Sequence, residues 1–277
     1  MKSSGSRAFV ATLIGVVLWL VVGAAWAQQT PTVEEVTKQL RAHYYDLKAV
    51  GVQDLVCTVT SPNIDDAVKQ TMPNAGVNVF VKYLWKAPNT QQYRIVGLPD
   101  GPSALRKDLA TLFNGQASYV MRKSIAQLIS ECECTIAMEG ELYKVTGKIK
   151  DAAEGAGSFD AYIKPDGWVI DRIVMQMNGG ETITTSYKTE EAQGVRFVTT
   201  ESSKIEKNGE TTLSEVAYAY GQVDNVMAVR TAVAKVKSAD GKEMSLQFNF
   251  SNYQVNLGLP DSMFGITPKG DKPAPAG

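Results

Sequence analysis

The chain has 277 residues, 28 Lys plus Arg against 29 Asp plus Glu, and 44% hydrophobic residues. That length supports one large or two small domains of ordinary globular composition. A net charge of −1 excludes a nucleic-acid partner held by a broad basic surface.

Lys2 and Arg7 precede an apolar run from Ala8 to Val22, and Ala25-Trp26-Ala27 follows it. A basic start, an apolar stretch and a small-x-small site predict a secretory signal peptide over 1–27, cleaved after Ala27. The expected location is the periplasm of a host with two membranes. The competing reading is a retained anchor, because the run approaches the length that spans a bilayer. The cleavage site directly behind the run favours removal.

Residues 32–50 are predicted to be a helix. Thr32-Val33-Glu34-Glu35 fits a capping box, and Val33, Val36, Leu40, Tyr44 and Leu47 recur at spacings of three and four. Gly51 is the expected cap beyond its end. The single histidine, His43, borders the apolar stripe and reads as a helix-surface residue.

Strands are expected at 52–60, 77–86 and 90–97, with a short helix at 64–72. In 77–86, Val77, Val79, Val81, Tyr83 and Trp85 fall on one face, and Asn78, Lys82 and Lys86 on the other. A helical region over 104–130 follows, with Leu105, Leu109, Leu112 and Phe113 as its apolar stripe and a break at Asn114-Gly115. It must pack on the sheet or cover its open side.

From residue 135 the pattern is strands separated by turns. The clearest hairpin is 159–177, where Phe159, Ala161 and Ile163 alternate before Lys164-Pro165-Asp166-Gly167, and Ile173, Met175 and Met177 after it. Asn208-Gly209 and Asp240-Gly241 are hairpin signals of the strongest short-range kind. The end of the chain, 269–277, reads as a disordered tail. The expected fold is α+β and mainly antiparallel β, with about eleven strands in a single domain over 28–268. So long a sheet curls or closes.

Three stretches, in this order, resemble the LolA/LolB-like periplasmic lipoprotein-carrier superfamily. They are the leader followed by VEEVTKQLRAHYYDLKAV; the strand pair VNVFVKYLWKAPNTQQYRI; and the hairpin YIKPDGWVIDRIVM with the closing VNLGLPDSMFGITPKG. The resemblance covers most of the mature chain. It implies a strongly curved open sheet, a half-barrel, whose concave side is covered by helices, with acyl chains held between them. It makes Arg94, in the Tyr93-Arg94 pair, the candidate polar contact. The chain departs from the compact carriers in its helical region at 103–130, a candidate lid, and in its three cysteines.

Residues that could carry chemistry are few. One histidine cannot build a His-rich metal site, and neither a Gly-x-Ser-x-Gly elbow nor a Gly-rich phosphate loop is present. Paired acids such as Asp65-Asp66 and Glu190-Glu191 read as solvated faces. Cys57, Cys132 and Cys134 permit one disulfide with one thiol left over, and Cys57 with Cys132 or Cys134 is the candidate pair. Structural or free cysteines without chemistry are the favoured reading. No cofactor and no enzymatic activity are expected.

A site for an apolar ligand needs only a concave apolar wall. The candidates are Val79, Val81, Tyr83 and Trp85; Leu109 and Phe113; Ile173, Met175 and Met177; and Phe248 and Phe250. The competing reading for each is a dry core between sheet and helices. The expected function is a non-enzymatic carrier or binding protein for a lipid or an acylated lipoprotein. The alternative is an envelope sensor or interaction domain that binds an inner- or outer-membrane protein.

Overall fold

A computed structural model describes residues 30–71, 79–98, 107, 109, 119–149 and 155–265. The expected signal peptide, the tail at 269–277, Phe113 and most of 103–118 lie outside the described residues.

The first element is helix α1, Val33–His43. The Thr32 hydroxyl accepts from the Glu35 N–H at 3.1 Å, as the capping box requires, and Glu34 and Glu35 place negative charge in the first turn. The helix stops at His43, seven residues before the expected end. Tyr44 takes extended backbone angles while its N–H still reaches Leu40 O. From there Tyr44 bridges to Arg196, and Tyr45 N–H donates to Arg196 O at 2.9 Å. Tertiary pairing therefore overrides a stripe that continues in sequence through Leu47.

Strand β1 is Asp54–Thr60, helix α2 is Pro62–Thr71, β2 is Phe80–Lys86 and β3 is Thr90–Val96. After the helical residues 107 and 109 comes helix α3, Ile125–Ser130, capped by the Ser124 hydroxyl, which accepts from Gln127 N–H. A run of antiparallel strands follows: β4 Glu133–Glu139, β5 Leu142–Lys148, β6 Ala156–Lys164, β7 Val169–Met177 and β8 Thr182–Ala192. It continues with β9 Val195–Lys207, β10 Glu210–Val223, β11 Val226–Lys237 and β12 Glu243–Val255. All twelve strands form one sheet in the order β3-β2-β1-β12-β11-β10-β9-β8-β7-β6-β5-β4. The sheet is open, with β3 and β4 at its edges. Register shifts at Val56/Thr58, Tyr162/Ile163, Lys188/Thr189 and Ala219/Tyr220 insert bulges that bend it. The fold is α+β and mainly antiparallel, as the alternation predicts, and the sheet is open and curved, as the resemblance implies.

The 159–177 hairpin forms, and its connection is tighter than a simple Pro-Asp-Gly turn. A 3₁₀ turn runs over Asp166–Trp168, with Gly167 at φ +67° and Trp168 at φ +56°. The Trp168 ring lies 5.6 Å from that of Tyr143, and Arg196 donates to Gly167 O at 2.6 Å, which secures a conformation unusual for tryptophan.

One face of the sheet carries two packed clusters. The first joins β1, β2 and β10–β12 to α2 and the turn after α1, with Tyr83, Trp85, Ile64, Val68 and Phe248 in its interior. The second joins α1 and α3 to β5–β7, with Val36, Leu40, Ile129, Phe159 and Ile173. Behind β1 and β2, on the opposite face, Val56 and Leu84 are covered by Leu259. Leu84 shares its side with Lys82 and Lys86, so that face is not simply solvated. The chain returns to seal it at the 3₁₀ turn Asp261–Phe264.

Cys57, Cys132 and Cys134 are thiols, none of them in a disulfide. This corrects the disulfide expected between Cys57 and Cys132 or Cys134. Cys57 sits on β1 inside the first cluster, whereas Cys132 and Cys134 pack against the second, and β4 is the far edge of the sheet. A disulfide needs Cα atoms within about 7 Å.

Candidate functional site

The two clusters do not merge. Between them α1 ends, and Tyr44 and Tyr45 reach from the helix end to the sheet. The Tyr44 hydroxyl accepts from Ile170 N–H and the Tyr45 hydroxyl from Met227 N–H, each at 2.8 Å. Each phenol thus satisfies a strand N–H, adding a side-chain tie to the backbone pairing of this segment with Arg196. Tyr45 stacks on Phe197 at 4.5 Å, and Phe197 meets Tyr220 edge-on at 5.3 Å.

The space left is a cavity of about 450 Å³, within the range of small-molecule sites. Its floor is the concave face of β7–β11: Met175, Met177, Ile183, Tyr187, Val198, Glu201, Tyr218, Tyr220, Met227 and Val229. Its roof is the end of α1 and the segment from Tyr119 into α3, including Val120, Met121, Ile125 and Leu128. Aliphatic, methionine and tyrosine side chains dominate the wall, and methionines adapt to ligands of varied shape.

A polar group lies on the floor. Glu201 faces Tyr187 across β8–β9 and Val216 across β9–β10. Arg122 descends from the roof and pairs with Glu201 Oε1. The Tyr218 hydroxyl donates to Glu201 Oε2 at 2.7 Å, and the guanidinium lies 4.8 Å from the Tyr218 ring centre. Burial is the largest single influence and opposes the charge on Arg122, but the Glu201 carboxylate together with the Tyr218, Tyr220 and Tyr187 phenols outweighs it and holds the pKa above the ordinary arginine value. Burial also pushes the Tyr187 and Tyr218 phenols up, so both are protonated at neutral pH. The second carboxylate at the wall, Asp46, accepts from Lys48 N–H at 2.9 Å in its own turn. Among the described residues, no group of three or more His, Cys, Asp or Glu side chains is placed to hold a metal.

The described residues of the sequence-predicted site fall in three places. Met175 and Met177 line the cavity. Val79, Val81, Tyr83, Trp85, Leu109, Phe248 and Phe250 lie in the first packed cluster, and Ile173 lies in the second. Arg94 points away, donating to Met263 O at 3.0 Å and to Gln92 Oε1 at 3.3 Å on an exposed surface. Residues not anticipated are Tyr44, Tyr45, Arg122, Tyr187, Glu201, Tyr218 and Tyr220. A signal for some of them exists: Ile183 and Tyr187, and Tyr218 beside Val216, share the alternating face. Glu201 is hidden within Thr199-Thr200-Glu201-Ser202-Ser203, which reads as solvated on both sides.

An open, curved antiparallel sheet closed on one side by short helices, with an apolar chamber between them, defines the architecture. Solved structures of this kind include a LolA superfamily protein from Nitrosomonas europaea, at 10% identity and a TM-score of 0.34, covering 84% of this chain and 97% of that one. A putative outer membrane lipoprotein-sorting protein domain from Vibrio parahaemolyticus matches at 10% identity and 0.31, covering 84% and 97%. A chain of the Pseudomonas aeruginosa MucA/MucB complex matches at 10% identity and 0.21, covering 81% and 95%. The first neighbour bears the LolA name that the sequence motifs resemble; at these scores and identities none of the three carries an argument about function. No family model matches the chain, and no curated protein matches it.

Proposed function

We propose that the chain is a non-enzymatic periplasmic carrier or binding protein for a lipid or a lipoprotein acyl chain. The observation that supports this reading is the cavity itself. It is walled by Met175, Met177, Ile183, Val198, Met227 and Val229 and lies between the sheet and the helices. Transfer of an acyl chain into such a wall gains about 0.8 kcal/mol per methylene, so a dozen methylenes supply about 10 kcal/mol, of the same order as the costs of association. Both wall carboxylates are already engaged, Asp46 by its own turn and Glu201 by Arg122 and Tyr218, which supports binding over hydrolysis. The alternative, an envelope interaction domain using the fold as a scaffold, suits a filled interior better than an open one.

The test is lipid extraction from the mature protein followed by mass spectrometry, with uptake of a fluorescent fatty-acyl probe. Met175→Asp is expected to weaken uptake at least about tenfold, because a carboxylate in an apolar wall loses its hydration. Asp171→Asn is expected to leave uptake unchanged, since Asp171 pairs at the surface with Arg172 and Lys164. Absence of co-purified lipid together with absence of uptake would overturn the proposal.

A further inference from the structure

We infer that the cavity selects an uncharged acyl group, an ester or amide rather than the fatty-acid anion, and that Arg122 and Tyr187 hold its carbonyl. This rests on the carrier reading and names the ligand class of the same cavity.

The polar group on the floor is balanced in charge and unbalanced in hydrogen bonding. Glu201 spends one oxygen on Arg122 and the other on the Tyr218 hydroxyl. Arg122 has five N–H donors, and Glu201 with the Tyr220 hydroxyl engages only part of them. Tyr187 lines the cavity and stands opposite Glu201 on the neighbouring strand. Its hydroxyl makes no hydrogen bond to any described residue. Donors are therefore in excess where the wall is otherwise apolar, and the missing partner is an acceptor.

Charge decides which acceptor fits. Arg122 and Glu201 cancel, and their side chains are only 24% and 22% exposed. A carboxylate entering beside them would leave a net negative charge next to Glu201 in a poorly solvated site, which is costly. An ester or amide carbonyl offers two lone pairs and adds no charge, so it matches one Tyr187 O–H and one Arg122 N–H. The cations at the mouth compensate an anion little: Lys123 is paired with Glu131 at 2.6 Å, and Arg41, which donates to the Ser130 hydroxyl, is exposed and its charge is screened by water.

The experiment is displacement of a bound neutral naphthylamine dye by three ligands of equal chain length: methyl decanoate, the corresponding alkyl methyl ether, and decanoate. Ester and ether are similarly apolar, but only the ester presents a carbonyl. The ester is expected to displace the dye at about tenfold lower concentration than the ether, the worth of about one net hydrogen bond. Tyr187→Phe should collapse that ratio towards one. Glu201→Gln, which leaves Arg122 unneutralised, should improve decanoate at least about tenfold relative to the ester. Equal displacement by ester and ether in the unaltered protein would overturn the inference alone, as would a ratio that persists in Tyr187→Phe. Failure of the dye and all three ligands to bind would overturn the carrier reading, and this inference with it.

Discussion

At the scale of single residues, Asp54 shows how one buried carboxylate organises a chain end. It is 4% exposed and accepts from the N–H groups of Leu257, Gly258 and Leu259 at 2.7, 2.8 and 3.2 Å. Those three donors sit where β12 gives way to the closing turn, and no strand partner is there to take them. Asp54→Ala leaves them without this acceptor and is expected to cost about 2–3 kcal/mol, since hydrogen bonds to charged acceptors are the stronger kind. Urea unfolding would measure it, and a change below about 0.5 kcal/mol would contradict the account. Cys57 gives a second check. Burial pushes its thiol pKa up, far from the thiolate range, and it is wholly enclosed. Ellman's reagent should leave Cys57 unmodified in the folded protein and modify all three cysteines in urea. Three titratable thiols without prior reduction would agree with the free state of the cysteines, and a single one would contradict it.

Among the elements, α1 is held by its cap and by two phenols. Thr32→Ala removes the acceptor for Glu35 N–H and should lower stability by about 1 kcal/mol, read as a shift in the urea midpoint at unchanged slope. The element also marks where local pattern stops being informative. Its start was legible because a capping box is a property of four adjacent residues. Its end was not, because Tyr44 leaves the helix to pair with Arg196, more than a hundred residues away. The strands were legible from alternation, and Asn208-Gly209 and Asp240-Gly241 correctly mark their turns. The cavity was less so. Alternation places Val81, Tyr83 and Trp85 on the inner face, but it does not say whether a helix or a void stands opposite, and α2 with the turn after α1 fills that end. The void lies over β7–β11, where Glu201 among hydroxyl residues looks like a solvated strand. Only the descent of Arg122 from the roof gives that glutamate an interior partner.

For the molecule as a whole, the number of enclosed phenols sets an alkaline limit. Burial raises the pKa of Tyr83, Tyr187, Tyr218 and Tyr253 above their ordinary value. Below about pH 10 these groups are protonated in both folded and unfolded chains. Above it the unfolded chain releases protons that the folded one retains, so the unfolded state binds fewer protons and stability falls as pH rises. Urea midpoints are expected to be level near pH 8 and to drop steeply towards about pH 11. A level midpoint across that range would place these rings in contact with water.

The order of strands in the sheet carries one more consequence, for how the chain assembles. From β4 to β12 every neighbour in space is the neighbour in sequence, so this part zips from one hairpin to the next. The trio β1–β3 is joined to it only through β1 against β12, where Val59 meets Phe250. That contact closes a loop of about 190 residues, a non-local pairing of the kind that forms slowly in folding. The chain must be delivered through β12 before the first three strands have a sheet to join. Until then the edge of β1 that pairs with β12 lacks its neighbour, and that interval is when the chain is most exposed to aggregation or to a chaperone.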